Sequence, residues 1–553
     1  VKIVLKAILK MLCASWLCVG LSGCSFQTGD TPLPTATTIR VALAQATTVP
    51  TLARTPVPTL DTTGSVRTLQ AVPSQVLSEN TDEIVLTSTP DAPCPPSGGQ
   101  PNAEHRVMAD VDYQAKTVAV QQQITLINRE NESLRDVVLN LEVNRWSEIV
   151  TVDAVAAVNL DAENGDVQAA AYELTGRRLL IELTAPVLPG CALQIDLSYR
   201  LAIPPVGTGV NAYNGYFGYT VRQTNLGHWL ATVGVRRGGT WISHDVIQIG
   251  EQVVAEMADW DVSLRVANAP INLTIAAPGV LTREDSDVWR YRLRNSREFA
   301  ASLSDDFNVT LQQATNGVMV ELYSFSEAVN GADGAVIDGA AHALLVASRS
   351  LAMYADLFGD YPYERFVIVE GDFADGMEFS GLVFVGRDWF RTYTGDPASY
   401  LTIITVHEVA HQWWYASVGN DPALTPWLDE ALATYSEYIF FEEYYPALRD
   451  WWWRFRVDSF VGTGSVVGQV DSPVYSFVTI RQYINAVYLR GARMMHDLRG
   501  VMGSDPFFDW LRRYAEAGKD RVVAPEVIWS LLSQENRDAT RAIRQFYLSD
   551  ANF

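Results

Sequence analysis

The feature that most restricts how this chain can fold is the run TIITVHEVAHQWW, in which His407 and His411 stand four positions apart among apolar residues. On a helix that spacing stacks two side chains about 6 Å apart on one face, whereas a strand would hold them about 13 Å apart. Two imidazoles can therefore share one metal ion only if this segment is helical, and its apolar flanks require that helix to be buried. Glu408 then falls beside the ion, placed to act as general base toward water. The other reading is a satisfied pair of core histidines, but the chain has only seven histidines, which makes the match specific for its length.

A tetrahedral catalytic zinc takes three protein ligands and keeps a fourth position open. Downstream, PWLDEALATYSEY offers Glu430 in the first turn or so of an amphipathic helix that Pro426 would start. A carboxylate there can also be a simple helix-dipole partner. His407, His411 and Glu430 are the candidate ligands of one Zn2+ per chain.

The rest of the chain divides by texture. Residues 102–318 carry short β-branched runs such as TVAVQQQITLI and CALQIDLSYRL between Asn, Gly and Pro turns, which predicts a β-rich domain. Residues 319–553 turn to helical periodicity, with helices predicted over 335–358, 399–417, 427–445 and 479–502 and three shorter ones after them. VMVELYSF and RFVIVE add a small sheet, so the fold class is multidomain α+β. With 48% apolar residues, disorder throughout and a small disulfide scaffold are excluded. A net charge of −23 without a Lys/Arg run excludes nucleic acid as a partner, and a monomer is expected.

Residues 1–24 read as an export signal. Lys2, Lys6 and Lys10 precede an apolar run over 11–21 that is too short for the roughly 20 residues of a bilayer span. Leu21-Ser22-Gly23-Cys24 resembles the lipobox of bacterial lipoproteins, which implies lipidation of Cys24 and an extracytoplasmic protein anchored to a membrane; an ordinary signal peptide is the alternative. Residues 25–101, rich in Thr and Pro, read as a linker. Cys94 and Cys191 then remain as a pair, expected to form a disulfide outside the cytoplasm, with two separate buried thiols as the other possibility.

HExxH followed by Glu430 in WLDEALA, with Gly419-Asn420 between them, resembles the gluzincin peptidases of the M1 aminopeptidase family, whose typical run is WLNEGFA. Gly376-Met377-Glu378 in ADGMEFSGLVFV is similar to the family's GxMEN motif. That similarity implies that Glu378 binds the substrate's free α-amine through a charge-assisted hydrogen bond, and that the adjoining strand edge pairs with the peptide. Phe379 stands where the family has Asn. Tyr488 in NAVYLRGARMM resembles the family's VxYxKGA segment, with Arg490 for Lys, and the resemblance implies a hydroxyl aimed at the oxyanion; Tyr483 is its nearest competitor.

The resemblance further implies a saddle-like N-terminal β domain, a thermolysin-like zinc peptidase domain, and removal of N-terminal residues from peptides. Full-length relatives continue into a large helical domain, whereas residues 489–553 are all that follow Tyr488 here, so an open cleft and tolerance of longer peptides are expected. Phe379 favours an endopeptidase or another hydrolase on the same scaffold as the alternative. A non-catalytic surface binding protein is a second alternative, disfavoured by Glu408 and Tyr488, which serve chemistry and not metal retention.

Overall fold

Alternation governs the first half of the molecule. Ala103–Asp112 (AEHRVMADVD) buries every second side chain, so one face looks into a core and the other outward. It lies inside an eight-stranded sheet in the order Val280–Asp285, Val288–Ser296, Ala258–Ala267, Ala103–Asp112, Thr117–Ile127, Ala192–Ala202, Val150–Asn159, Gln168–Ala169. Neighbours run antiparallel except Ala103–Asp112 with Ala258–Ala267. Two four-stranded sheets and the short pair Arg236–Arg237 with Thr240–Trp241 also lie in this half, and Val107, Ile124, Val137, Ile181, Trp229 and Trp260 share its core.

This computed structural model describes residue 94 and residues 102–145, 149–161, 168–207, 215–285, 287–331, 334–461 and 466–549. The signal, Cys24 and the linker up to residue 93 lie outside them. Cys94 and Cys191 are joined in a disulfide, with Cα atoms 5.1 Å apart.

A five-stranded sheet forms the wall between the halves, in the order Asn308–Gln313, Met319–Ser324, Arg365–Gly371, Leu382–Gly386, Gly376–Phe379. Phe366, Ile368, Val383 and Val385 join the core under the helices, while Val367, Val369, Leu382 and Phe384 join the β core. Burial on both faces explains the unbroken apolar runs. The first strand of this sheet precedes residue 319, because strand texture does not say which sheet a strand joins. Gly376–Phe379 is the far edge strand, antiparallel to Leu382–Gly386, and among the described residues its outer edge has no strand partner.

The helices depart from the sequence reading in instructive ways. Gly339–Phe358 starts after residue 335 because Asp338 caps it and Val336–Ile337 pairs with Val329–Asn330. Tyr400–Ala410 is capped by Ser399 but stops well before residue 417, since Trp414 and Tyr415 leave helical angles in a π-type turn over Gln412–Ser417. Trp427–Tyr444 is not amphipathic: every residue from Trp427 to Phe441 is buried, because neighbouring helices pack against it from more than one side. The 479–502 helix carries a π-type turn over Ile484–Leu489. Among the described residues four further helices follow where three were expected, the first of them Ser504–Gly518.

Candidate metal centre

His407 lies in the last turn of Tyr400–Ala410 and His411 closes that helix, and their Nε2 atoms come to 3.0 Å. Glu430 Oε2, from the first turn of Trp427–Tyr444, lies 3.4 Å from His407 Nε2 and 3.6 Å from His411 Nε2. Two zinc–nitrogen bonds at a tetrahedral angle subtend about 3.3 Å, so the three atoms are spaced for one ion. Among the described residues, Glu430 Oε2 and Glu408 Oε2 are buried without a hydrogen-bond partner. A merely structural pair of histidines would not leave such carboxylate oxygens beside it unsatisfied.

The remaining ring nitrogens are tied down. His407 Nδ1 meets Glu437 Oε1 at 2.9 Å, and His411 Nδ1 meets Asp429 Oδ1 at 2.6 Å and the Trp414 carbonyl at 3.1 Å. These acceptors place the proton on Nδ1 and turn each Nε2 lone pair toward the shared point. Glu437 is held in turn by Arg456 at 2.9 and 3.0 Å and by Trp452 Nε1 at 3.1 Å. Burial pulls the His407 pKa down, yet Glu430 and Glu437 outweigh it and set it at about 9. His411 is raised likewise, against burial, chiefly by Asp429 and Glu378. Surroundings that favour positive charge this strongly suit a divalent cation.

Glu408 rests against the edge strand. A Cβ built on Gly376 would lie 2.1 Å from Glu408 Oε1, so only glycine lets the carboxylate settle there. Gly376→Ala is expected to push that flexible carboxylate aside, lowering kcat by roughly 10- to 100-fold with thermal stability nearly unchanged, as kinetics beside thermal unfolding will show. Glu378, on the same strand after the buried Met377, lies with Glu408 and His411 in a group whose donor atoms are all within 4.8 Å. Burial raises the Glu378 pKa to about 7, His411 opposing the shift and Glu430 and Asp429 adding to it. Phe379 alternates to the other side and is fully buried, edge-on to His228 at 4.9 Å and Tyr216 at 5.9 Å. The GxMEN spacing sets its glycine at Asp375, which adopts the left-handed φ of 74° that Asp tolerates.

Tyr488 donates its hydroxyl to Glu430 Oε1 at 2.5 Å, and its ring lies parallel to His407 at 6.0 Å. Tyr483 is buried and meets Tyr488 edge-on at 5.4 Å. Tyr488 falls in the π-type turn, a feature common at functional sites. The reading of the sequence missed Asp429 and Glu437. Both had a signal, since Asp429 adjoins Glu430 and Glu437 lies two helical turns beyond it on the same face.

Residues 342–548 match the model of the peptidase family M1 domain. The chain is 25% identical over 283 residues to endoplasmic reticulum aminopeptidase 1 of Mus musculus, covering 48% of this chain and 29% of that protein. It is 28% identical over 247 residues to the thyrotropin-releasing hormone-degrading ectoenzyme of Mus musculus, covering 42% of this chain and 22% of that one. The chain thus spans under a third of the length of these curated relatives. Among solved structures, the M1 zinc metallopeptidase of Deinococcus radiodurans superposes with a TM-score of 0.55 at 18% identity, covering 80% of this chain and 94% of that one. A variant of the same enzyme bound to a Tyr-Ser-Ala substrate gives 0.56 at 18%, covering 81% and 94%. A β-rich half followed by a helical half is the architecture they share. With the domain match lying over the very helices that bring His407, His411 and Glu430 together, residues 342–548 form a peptidase family M1 domain.

Proposed function

We propose that the chain is a zinc metallopeptidase that removes N-terminal residues from peptides. The observation that carries this is one convergence: three metal donors at 3.0 to 3.6 Å, with the buried Glu378 and Glu408 carboxylates beside them. Zinc held by His407, His411 and Glu430 would supply Lewis acidity toward the scissile carbonyl and make water a nucleophile at neutral pH. Glu408 takes the attacking water's proton on its unpartnered Oε2 and returns it to the leaving amine. Glu378 accepts the substrate's ammonium, and its closeness to Glu408 confines cleavage to the first peptide bond. Tyr488, once its hydroxyl leaves Glu430, donates to the oxyanion. The unpaired edge of Gly376–Phe379 offers backbone groups to an extended peptide.

Peptide substrates accord with the names of the relatives and with the Tyr-Ser-Ala complex of the Deinococcus enzyme. Phe379 lies in the β core and not among the metal donors, which weakens the case for an endopeptidase. Every group invoked comes from one chain, so a monomer suffices. We place the enzyme outside the cytoplasm, lipid-anchored through Cys24, and the Cys94 to Cys191 disulfide supports an oxidising compartment.

Aminoacyl fluorogenic substrates are expected to be cleaved and to lose at least about 100-fold in rate on zinc chelation. N-blocked peptides are expected to resist. Cleavage of blocked peptides would favour the endopeptidase, and the lack of any chelator-sensitive turnover would favour a binding protein.

A further inference from the structure

The amine-binding strand Gly376–Phe379 and the metal helix Tyr400–Ala410 come from separate stretches of chain, yet the distance between Glu378 and the metal donors must be held closely. Gln412, next to His411, bridges them directly: its Oε1 accepts from Gly381 N at 2.8 Å and its Nε2 donates to Phe379 O at 3.2 Å. A second bridge comes from the β half. Glu298 accepts from Ser380 N at 2.8 Å on one oxygen and from the Tyr415 hydroxyl at 2.5 Å on the other. One residue earlier, Arg297 donates to the carbonyls of Tyr415 at 2.6 Å, Ala255 at 2.7 Å, Arg521 at 3.0 Å and Ser417 at 3.2 Å.

Two of these carbonyls, of Tyr415 and Ser417, belong to the π-type turn that follows the metal helix, so Arg297 fixes that turn. Gly419 lies flat against the guanidinium: a Cβ there would sit 2.4 Å from Arg297 Cζ. Arg297, Glu298 and Gln412 are each at most 3% exposed. Burying two charges is costly, and apolar side chains would serve packing as well. What the charges add is fixed geometry in two directions from one dipeptide.

We propose that Arg297 and Glu298 are positioning residues that set the register between the amine-binding strand and the metal helix, and so govern how tightly a free N-terminus is held. This rests on the reading of Glu378 as the amine anchor. A shift of the strand moves Glu378 while His407, Glu408 and His411 stay together on their helix, so binding suffers before chemistry does.

The test compares wild type, Glu298→Gln, Tyr415→Phe and Glu378→Gln on an aminoacyl fluorogenic substrate, with an amino acid amide as competitive inhibitor. Glu298→Gln is expected to raise KM and the inhibitor Ki by a common factor of about ten, with kcat within about twofold and zinc content and Tm near wild type. Tyr415→Phe, which removes one hydroxyl, is expected to raise both about threefold, and the variant combining Glu298→Gln with Tyr415→Phe to fall short of the product. Unchanged KM and Ki, or a fall in kcat and Tm at constant KM, would show a merely structural role and overturn the proposal. Should Glu298→Gln fail to fold, Tyr415→Phe decides alone. If Glu378→Gln leaves Ki unchanged, the amine-anchor reading itself fails; if it raises Ki while Glu298→Gln and Tyr415→Phe do not, only the positioning role fails.

Discussion

A chain carrying Glu408→Gln is expected to keep its fold and its zinc while kcat falls about 1000-fold, within the range set by loss of a general base. Gln matches the shape of Glu but cannot take a proton. Among the described residues Glu408 Oε2 has no hydrogen-bond partner, so no neighbouring group there stands ready to substitute for it. Burial, reinforced by Glu378, raises the Glu408 pKa well above the carboxylate range. A neutral amide removes that repulsion, so the unfolding midpoint should hold or rise slightly. Kinetics beside thermal unfolding separate the two effects, and retained turnover would remove Glu408 from the chemistry.

The second large effect is expected at Glu437, a residue that touches neither substrate nor metal. It is fully buried and holds His407 Nδ1 while neutralising Arg456. Glu437→Gln keeps the volume but loses the charge, which frees the His407 ring to reorient and leaves a guanidinium without its counter-ion. Zinc affinity should drop by roughly 10- to 100-fold, as for other outer partners of ligating histidines. Stability of the zinc-free protein should fall by about 3 kcal/mol, the usual cost of breaking a buried pair. Chelator competition measures the first and denaturant unfolding the second. An affinity equal to wild type would mean that the His407 ring is oriented by packing alone.

The convergence of His407, His411 and Glu430 was legible in the sequence because helical spacing is a local property: the two histidines need one turn of helix, and Glu430 needs only a second helix nearby. The division into a strand-rich half and a helical half was legible for the same reason. Tertiary features were not. Nothing in QWWYAS, which has no Gly or Pro, announces that the helix breaks after His411. The break is held by Arg297, more than a hundred residues earlier, bonding the Tyr415 and Ser417 carbonyls. Likewise the full burial of Trp427 to Phe441 depends on neighbours that the helix's own periodicity cannot reveal. Phe379 looked like a departure in the active site, yet strand alternation sends it into the β core against Tyr216 and His228. RNSREFA carried no motif that would single out Arg297 or Glu298, whose importance lies wholly in partners distant along the chain.

The central claim is that two imidazoles and one carboxylate hold a single catalytic ion, and elemental analysis of the purified chain beside His411→Ala tests it most directly. One zinc per chain in the wild type is expected, falling below about 0.1 in the variant as the ligand set drops to two. An active wild-type chain without zinc, or a His411→Ala chain that retains a full equivalent, would contradict it.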